Sequence, residues 1–495
     1  MYDLLLKAGA VFDSANGLSG AQRDIAIQDG VIAAVREAID PGLAREVRDL
    51  SGAMVSAGWI DIHVHAYGGI ALGDVQLVGV LNGATTIVDA GDFGTATFAD
   101  FEALSKDSVA DVYGYIHMHP NGIPYTGVHR ADYRDLDVDA LVDLIERRGD
   151  IIKGLKLGAL GDLPFHNIQT AKAIATRAKT RYFMHLGEVN HFPAKHSLTR
   201  QAVALLTEGD IATHIYTNDH GRIIDGEGRV VPEIFEARDR GVLFDIGHGV
   251  GNFSYAIAER AMDQGIYPDT ISSDQNSLCA NVRADLPATM SRFFLLGMSL
   301  EDIVHRVTAA PAKALGLARA GTLAAGNKAD ITVFRVESGG RELLDSDGVA
   351  RTTDRMIVAD HVYKDGRYHR CDVERIYRED NFVMKMRPAA DARELDLERE
   401  DQIFLDGLFA ALETLDENEW RGETVHRVLD RTVAETGMAR RRALRMLYRL
   451  VLAPASSGFT PQIGCILARM GAEGVRACRD VPGRAVPAEL KTETA

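Results

Sequence analysis

The chain has 495 residues, of which 46% are hydrophobic and 25% charged, the proportions of an ordinary globular protein. Its formal net charge of −16 at pH 7 disfavours charge-driven binding of nucleic acid over the whole surface. No apolar run is long enough to span a membrane, and Asp3 stands where a signal peptide needs positive charge, so we expect a cytoplasmic protein with no membrane partner.

Short strands with turn signals occupy the first part of the chain. Asp29-Gly30 lies between two apolar alternations and predicts a hairpin. The stretch from about Gly321 to Arg370 has the same pattern, with a predicted strand over 329–334. Two strand-rich pieces on either side of a different middle predict one β-sandwich assembled from residues 1–56 and 318–378.

Between these pieces, β-branched apolar runs alternate with amphipathic helical stretches. The predicted strands are the run that ends at His65 and the segments 85–88, 112–117, 151–157, 182–185, 211–216, 242–246 and 270–273. About eight such units predict an α/β fold, a closed (β/α)₈ TIM barrel over residues 57–317, with its chemistry at the carboxyl ends of the strands.

The composition changes again after residue 378. Helical patterns cover 395–415, 420–436, 439–452 and 461–479, with glycine and proline between them. They predict a separate all-α domain over residues 379–495.

The first barrel strand ends in two histidines one residue apart. With a period of two, His63 and His65 leave the strand on one face and can bind one cation. Taken alone, the pair is equally consistent with two solvent-facing histidines. Other polar residues close later strands, however, and six strand-end residues together predict a site for two divalent ions: His63, His65, Lys156, His185, His214 and Asp274.

This order of residue types resembles the amidohydrolase superfamily in its binuclear-metal branch, and the stretches 307–312 and 321–330 resemble it too. The resemblance implies that Lys156 is carboxylated by CO₂ and bridges both metals. It also implies that His63, His65 and Asp274 hold the more buried metal with Lys156, and that His185 and His214 hold the second. Lys153 lies three residues earlier and projects to the other face of its strand. Zinc suits these ligands best, and manganese or cobalt accepts the same donors.

The expected reaction is the hydrolysis of an amide, an ester or a cyclic imide. Two cations lower the pKa of a bridging water and supply hydroxide, and Asp274 acts as general acid and base. His248 follows the seventh predicted strand. It is a candidate catalytic residue that contacts substrate or stabilises the transition state. An equally good interpretation is a histidine that orients a metal ligand.

Residues 241–254 and 267–274 resemble a deacetylase group of that superfamily, often confused with dihydroorotases. This implies a small-molecule substrate, the N-acyl or O-acyl derivative of a small α-substituted carboxylic acid. A dihydroorotase is disfavoured, because Tyr67 stands where those enzymes usually have a substrate-binding arginine. The end of the third strand, 115–120, departs from the deacetylase group, which leaves open a cyclic amidase of hydantoinase or dihydroorotase type, or a D-aminoacylase-like hydrolase.

The tail, over residues 420–480, resembles the helical anticodon-binding domain of class I glutamyl- and lysyl-tRNA synthetases. Five arginines that could follow phosphates cluster there: Arg440, Arg441, Arg442, Arg445 and Arg449. A solvated helix face on a domain used for homo-oligomer formation is favoured over tRNA binding, since the chain is acidic and few aromatic residues lie near the cluster.

Overall fold

We analysed a computed structural model of the chain. The structure describes residues 1–68, 71–72, 74–123, 133, 136–158, 165–187, 198–219, 221–277, 279, 283–377, 399–415, 422–438 and 447. The chain divides into two compact units, residues 1–124 with 128–382 and residues 125–127 with 383–495. None of the helices within the described ranges combines the length and the apolar character that crossing a membrane requires. The finer division into four domains stays a prediction.

The described residues contain β-strands at Tyr2–Asp13 (β1), Leu18–Gln28 (β2), Val31–Arg36 (β3), Ala44–Asp49 (β4), Met54–Ala57 (β5), Trp59–Val64 (β6), Ala84–Asp89 (β7), Asp111–His117 (β8), Ile152–Leu157 (β9), Tyr182–His185 (β10), Ile211–Thr213 (β11), Leu243–Phe244 (β12), Ile331–Leu344 (β13), Ala350–Lys364 (β14) and Arg367–Arg370 (β15). The α-helices are Phe98–Asp107 (α1), Val138–Arg147 (α2), Phe165–Arg177 (α3), Leu198–Ala204 (α4), Pro232–Asp239 (α5), Tyr255–Asp263 (α6), Leu286–Leu295 (α7), Leu300–His305 (α8), Ala309–Leu315 (α9), Arg399–Leu412 (α10) and Gly422–Thr436 (α11).

Strands β6 to β12 form a parallel sheet in chain order, as the strand–helix alternation predicts. The prediction of an eighth strand over residues 270–273 is wrong, because these residues form no regular strand. Instead, Thr270 bridges Asp245 on one side and Gln275 bridges Val64 on the other. The segment 270–275 therefore joins the two edges of the sheet, and the carboxyl ends of the strands face one another across it.

The predicted strand over 211–216 is also shorter in the structure. β11 ends at Thr213 because His214 has a φ of +68°, which an L-residue rarely adopts and which a strand does not continue through. Ile215 and Tyr216 are fully buried beyond this turn. The change of direction at His214 places its ring at the carboxyl edge of the sheet.

The outer β-structure is assembled from both ends of the first unit, as predicted. Its order is β15-β14-β13-β5-β1-β2-β3, with β4 paired to β1. These strands are hydrogen-bonded into one continuous sheet, because β5 pairs with β1 on one side and with β13 on the other, and the sandwich stays a prediction. The hairpin prediction is confirmed, since β2 and β3 are joined by Asp29 and Gly30, both at positive φ (51° and 73°).

In the second unit, α10 and α11 correspond to the first two predicted tail helices. Phe404, Leu408 and Phe409 of α10 are fully buried, as is Leu429 of α11. A Cβ at Gly407 would lie 3.4 Å from Thr432 Cγ2, so the two helices pack closely there. The helices predicted at 439–452 and 461–479, and the arginine cluster, lie outside the described residues, apart from Leu447.

Candidate metal centre

Three predicted ligands meet at the carboxyl edge of the parallel sheet. His63 lies in β6, His65 follows it, and Asp274 comes from the segment that joins the sheet edges. Asp274 Oδ1 lies 3.3 Å from His63 Nε2 and 3.1 Å from His65 Nε2. One ligand atom from each residue lies within 4.8 Å of the others, and all three side chains are buried. Two imidazoles and a carboxylate at this spacing fit a divalent metal ion.

The other three predicted ligands join the same cluster. The rings of His63 and His214 have centroids 4.9 Å apart, and those of His214 and His185 are 4.2 Å apart. Lys156 Nζ lies 4.4 Å from the centroid of the Phe183 ring, which contacts His63 edge-on at 5.1 Å. The structure therefore places all six predicted ligands in one region, and His63, His65 and Asp274 among them lie at mutual ligand distance.

Lys156 is the lysine that faces the cluster. It is 1% exposed, and its Nζ has no hydrogen-bond partner among the described residues. His185 Nε2 is buried and equally unpartnered there. Lys153 turns away, donating to the backbone oxygen of Gly149. A buried amine and a buried imidazole nitrogen left without partners are costly, and a metal centre with a modified lysine would satisfy both.

Three of the histidines are held by hydrogen bonds at Nδ1. His65 Nδ1 donates to Asp92 at 2.8 Å, and His214 Nδ1 donates to the Gly247 carbonyl at 2.7 Å. His63 Nδ1 lies 3.0 Å from the Thr213 hydroxyl, whose own proton goes to Asp245. In His63 and His214 the proton on Nδ1 leaves the Nε2 lone pair for the centre, and His65 reaches the same form once its Nε2 proton is displaced, the arrangement that metal-binding histidines commonly have.

Sequence reasoning missed these outer partners. Asp92 and Asp245 are fully buried; Asp245 also accepts from the Thr270 and Ser272 hydroxyls, both at 2.7 Å. Asp92 lies three residues beyond β7, and the strand-end rule applied to β7 as well would have singled it out. No comparable signal points to Thr213, because a hydroxyl inside a strand is ordinary.

Two glycines after β12 leave room for the ligands. A Cβ at Gly247 would lie 2.7 Å from the Nδ1 atoms of both His214 and His63. A Cβ at Gly249 would lie 2.2 Å from Asp274 Oδ2. Both glycines have positive φ, 48° and 52°. Asp274 and His214 also adopt positive φ without being glycine, and such strain is common at functional sites.

Burial and neighbouring charge set the protonation of the centre. Burial works against protonation of His65, yet the Asp92 and Asp274 carboxylates raise the pKa of His65 to about 10. Burial alone would raise the pKa of Asp274, but the His63 and His65 rings hold that pKa below its usual value. Burial lowers the pKa of Lys156 to about 8, so roughly a tenth of this amine is neutral at pH 7.

The protonation of His65 gives a prediction for metal uptake. Without metal, the pKa of His65 lies above neutrality, so an entering ion must displace the proton from Nε2. We expect zinc affinity to increase with pH by at least about tenfold per unit between pH 6 and 8, because His65 releases one proton and Lys156, whose pKa is about 8, releases a second before it is carboxylated. Chelator competition at pH 6, 7 and 8 measures this. The Asp92→Asn variant should have a shallower dependence, and a pH-independent affinity in the unmodified protein would contradict the prediction.

His248 lies beside Asp274 but is held differently. Its Nδ1 donates to the Gly249 carbonyl at 2.8 Å, and its ring stacks on Phe253 with centroids 4.9 Å apart. Burial lowers the pKa of His248 well below its usual value, so the ring is neutral and Nε2 is an acceptor. This nitrogen has no partner among the described residues. Asn252 Nδ2 donates to Asp274 Oδ2 at 3.1 Å and fixes the carboxylate from the same loop.

Comparisons with known proteins agree with this site. Residues 254–367 match the model of the amidohydrolase family. A deacetylase of Enterococcus faecalis is 32% identical over 369 residues, covering 72% of this chain and 96% of the relative. A deacetylase of Agrobacterium fabrum is 31% identical, covering 69% and 85%.

Solved structures give the same result. A crystal structure of an adenine deaminase has a TM-score of 0.68 at 30% identity, covering 75% of this chain and all of that one. A crystal structure of a dihydroorotase has a TM-score of 0.65 at 28% identity, covering 75% and 99%. The fold and the site are those of metal-dependent hydrolases that act on C–N bonds. The chain belongs to the amidohydrolase family.

Proposed function

We propose that the chain is a binuclear metal hydrolase that removes an acyl group from small α-substituted carboxylic acids. His63, His65 and Asp274 hold one ion, His185 and His214 hold the second, and Lys156, carboxylated on Nζ, bridges them. The observation that carries the proposal is the buried Lys156 Nζ, which has no hydrogen-bond partner among the described residues and lies within a cluster of four histidines and an aspartate. A neutral amine is what CO₂ reacts with, and the low pKa of Lys156 supplies it.

The residues divide the chemistry among them. When bound, the two ions polarise the substrate carbonyl and lower the pKa of a water molecule. Asp274 takes a proton from the attacking water and passes it to the leaving nitrogen or oxygen, while Asn252 holds its second oxygen in place. The new C–O bond replaces the C–N or ester C–O bond. His248 Nε2 acts as an acceptor for a substrate N–H or O–H, which favours substrate contact over stabilisation of an oxyanion.

The metals and the substrate are tested together. The full chain is purified without chelator from cells supplied with zinc, manganese or cobalt, and its metal content is measured by mass spectrometry. About two equivalents of metal per chain are expected from the proposed ligand set, with zinc preferred. Hydrolysis of N-acetyl amino acids and of O-acetyl 2-hydroxy acids is then measured with the metal-loaded protein. Metal content near zero under every supply would overturn the proposal.

Cyclic amides and adenine belong in the same screen. Hydantoins and dihydropyrimidines test the cyclic amidase alternative, which the 28% identity to a protein described as a dihydroorotase supports. Tyr67 two residues after His65 weighs against that alternative, because a neutral side chain replaces the expected arginine. Adenine tests the activity that the name of the other structural relative suggests.

The role of the tail stays a prediction, as do cytoplasmic location and a homo-oligomer. The arginines from Arg440 to Arg449 lie outside the described residues, so tRNA binding rests on sequence alone. A filter-binding titration with bulk tRNA at low salt, where phosphate contacts are strongest, tests it. No retention would exclude this function.

A further inference from the structure

Two histidines at the end of β8 form an arrangement that the proposed mechanism does not use. The backbone N–H of His119 donates to His117 Nδ1 at 2.9 Å, and the N–H of Asn121 donates to His119 Nδ1 at 3.1 Å. A backbone N–H can only donate, so each Nδ1 must be an acceptor. In the neutral ring the proton therefore lies on Nε2, the opposite of the tautomer at His63, His65, His214 and His248.

His117 is buried deeply enough for this to matter. Its side chain is 1% exposed, and its Nε2 has no hydrogen-bond partner among the described residues. Burial lowers the pKa of His117 to about 3, so the ring is neutral. A buried N–H donor without an acceptor is costly unless a ligand supplies the acceptor.

The position of His117 shows which groups it can reach. In the sheet it is the register partner of Lys156 on β9, and the Met118 N–H donates to the Lys156 carbonyl at 3.1 Å. Cross-strand partners in a parallel sheet project to the same face, so the His117 ring and the Lys156 side chain lie side by side. His117 Nε2 lies 3.9 Å from the Cβ position of Gly158, beyond the end of β9.

The loop that carries these histidines is fixed to the metal-binding loops. The Ile123 N–H donates to Gly91 O at 2.9 Å, and Ala96 N–H donates to Pro120 O at 2.8 Å. A Cβ at Gly122 would lie 1.9 Å from the carbonyl oxygen of Asp92, the partner of His65. The His117 N–H also donates to Phe93 O at 2.9 Å, so the backbone around His117 is joined to the loop whose Asp92 orients His65.

We propose that His117 is a hydrogen-bond donor in the pocket, whose Nε2–H binds a carboxylate-type oxygen beside the metal centre. Two sources can supply that oxygen: the carboxylate of the substrate acid, or the carboxylate that CO₂ forms on Lys156. The inference rests on the proposed function for the identity of both. The inference also assigns a role to residues 115–120, the strand end that departs from the deacetylase group. His117 would supply a neutral donor where the chain has Tyr67, and not an arginine, two residues after His65.

The test compares His117→Leu with His117→Gln in the full chain. The glutamine amide can place an N–H donor near the position of Nε2, whereas leucine cannot. His166→Leu, on the exposed side of α3, is the control. One arm measures binding of 2-hydroxypropanoate and of its amide to the zinc-loaded protein by calorimetry. The other measures how much bicarbonate is needed to restore zinc uptake after chelator treatment.

If substrate supplies the oxygen, His117→Leu should bind 2-hydroxypropanoate at least about tenfold more weakly than the unmodified protein, the amide being less affected. If Lys156 supplies it, the variant should need about tenfold more bicarbonate. In either case His117→Gln should recover most of the loss. No change in either arm would overturn the inference and leave the proposed function intact.

A measurement on the unmodified protein covers the case in which the leucine variant does not fold. Long-range ¹H–¹⁵N correlation spectra of histidine-labelled protein distinguish the two neutral tautomers, and the His117 signals are assigned by their absence from His117→Gln. We expect the Nε2–H form. A proton on Nδ1 would overturn the inference. Failure of the unmodified protein to take up metal would instead count against the proposed function, and the tautomer would still be measurable.

Discussion

Replacing Lys156 with alanine is expected to remove most of the bound metal and nearly all activity. The Lys156 amine is buried in the cluster, and once carboxylated it would be the one side chain that both ions share. Loss of a residue that merely orients a metal ligand typically costs about 10- to 100-fold in metal affinity, so loss of a bridging ligand should cost more. Metal content by mass spectrometry and hydrolysis of the best acyl substrate measure the effect.

Rescue and a matched control make this result specific. Short carboxylic acids such as acetate should restore part of both metal content and activity in Lys156→Ala, because they can occupy the space of the missing carboxylate. Lys153→Ala should behave like the unmodified protein, since the Lys153 amine donates to Gly149 O and faces away from the site. Full metal content and full activity in Lys156→Ala would refute the bridging role.

Replacing Gly247 with alanine should disable the centre without touching a ligand. The added Cβ would lie 2.4 Å from Thr213 Oγ1 and 2.7 Å from the Nδ1 atoms of His214 and His63. Two of the three orienting hydrogen bonds would be displaced, so we expect metal affinity to fall by about 10- to 100-fold. The φ of +48° adds a backbone cost of about 1–2 kcal/mol to the free energy of folding.

Gly251→Ala is the control for this substitution. Gly251 lies in the same loop, and a Cβ there would have no atom within 4 Å. Thermal unfolding of the metal-free proteins separates loss of stability from loss of metal binding. If Gly247→Ala retains the metal content of the Gly251→Ala protein, the orienting hydrogen bonds do not control metal affinity.

The site residues that could be predicted from the sequence differ from those that could not in the range of the contacts that position them. Histidines and a lysine that close apolar runs are visible because alternation fixes their face and the parallel sheet brings strand ends together. Asp92 and Thr213 act through loops or neighbouring strands, and their partners, His65 and His63, are 27 and 150 residues away. Contacts of that kind depend on tertiary packing, which the local pattern does not encode.

The same distinction applies to the fold. The strands β6 to β12 were predictable from their apolar runs, and the hairpin from Asp29-Gly30. Residues 270–273 were mistaken for a strand because they are apolar or hydroxyl-bearing, whereas Asp274 directly after them turns the backbone to positive φ. The packing of the outer strands could not be predicted, since alternation shows that a face is buried but not which element covers it.

The outer sheet also constrains the order of events during synthesis. β5 can pair with β1 as soon as both are synthesised, because they are close in the chain. Its other edge can pair only after β13 is synthesised, since Val55 pairs with Val333, about 280 residues later. At roughly 5–20 residues per second, the ribosome leaves that edge open for about 14 to 56 seconds. During this interval the unpaired backbone of β5 is a template for pairing with another nascent chain. Production of the protein should therefore be sensitive to translation rate and to chaperones that shield exposed strands.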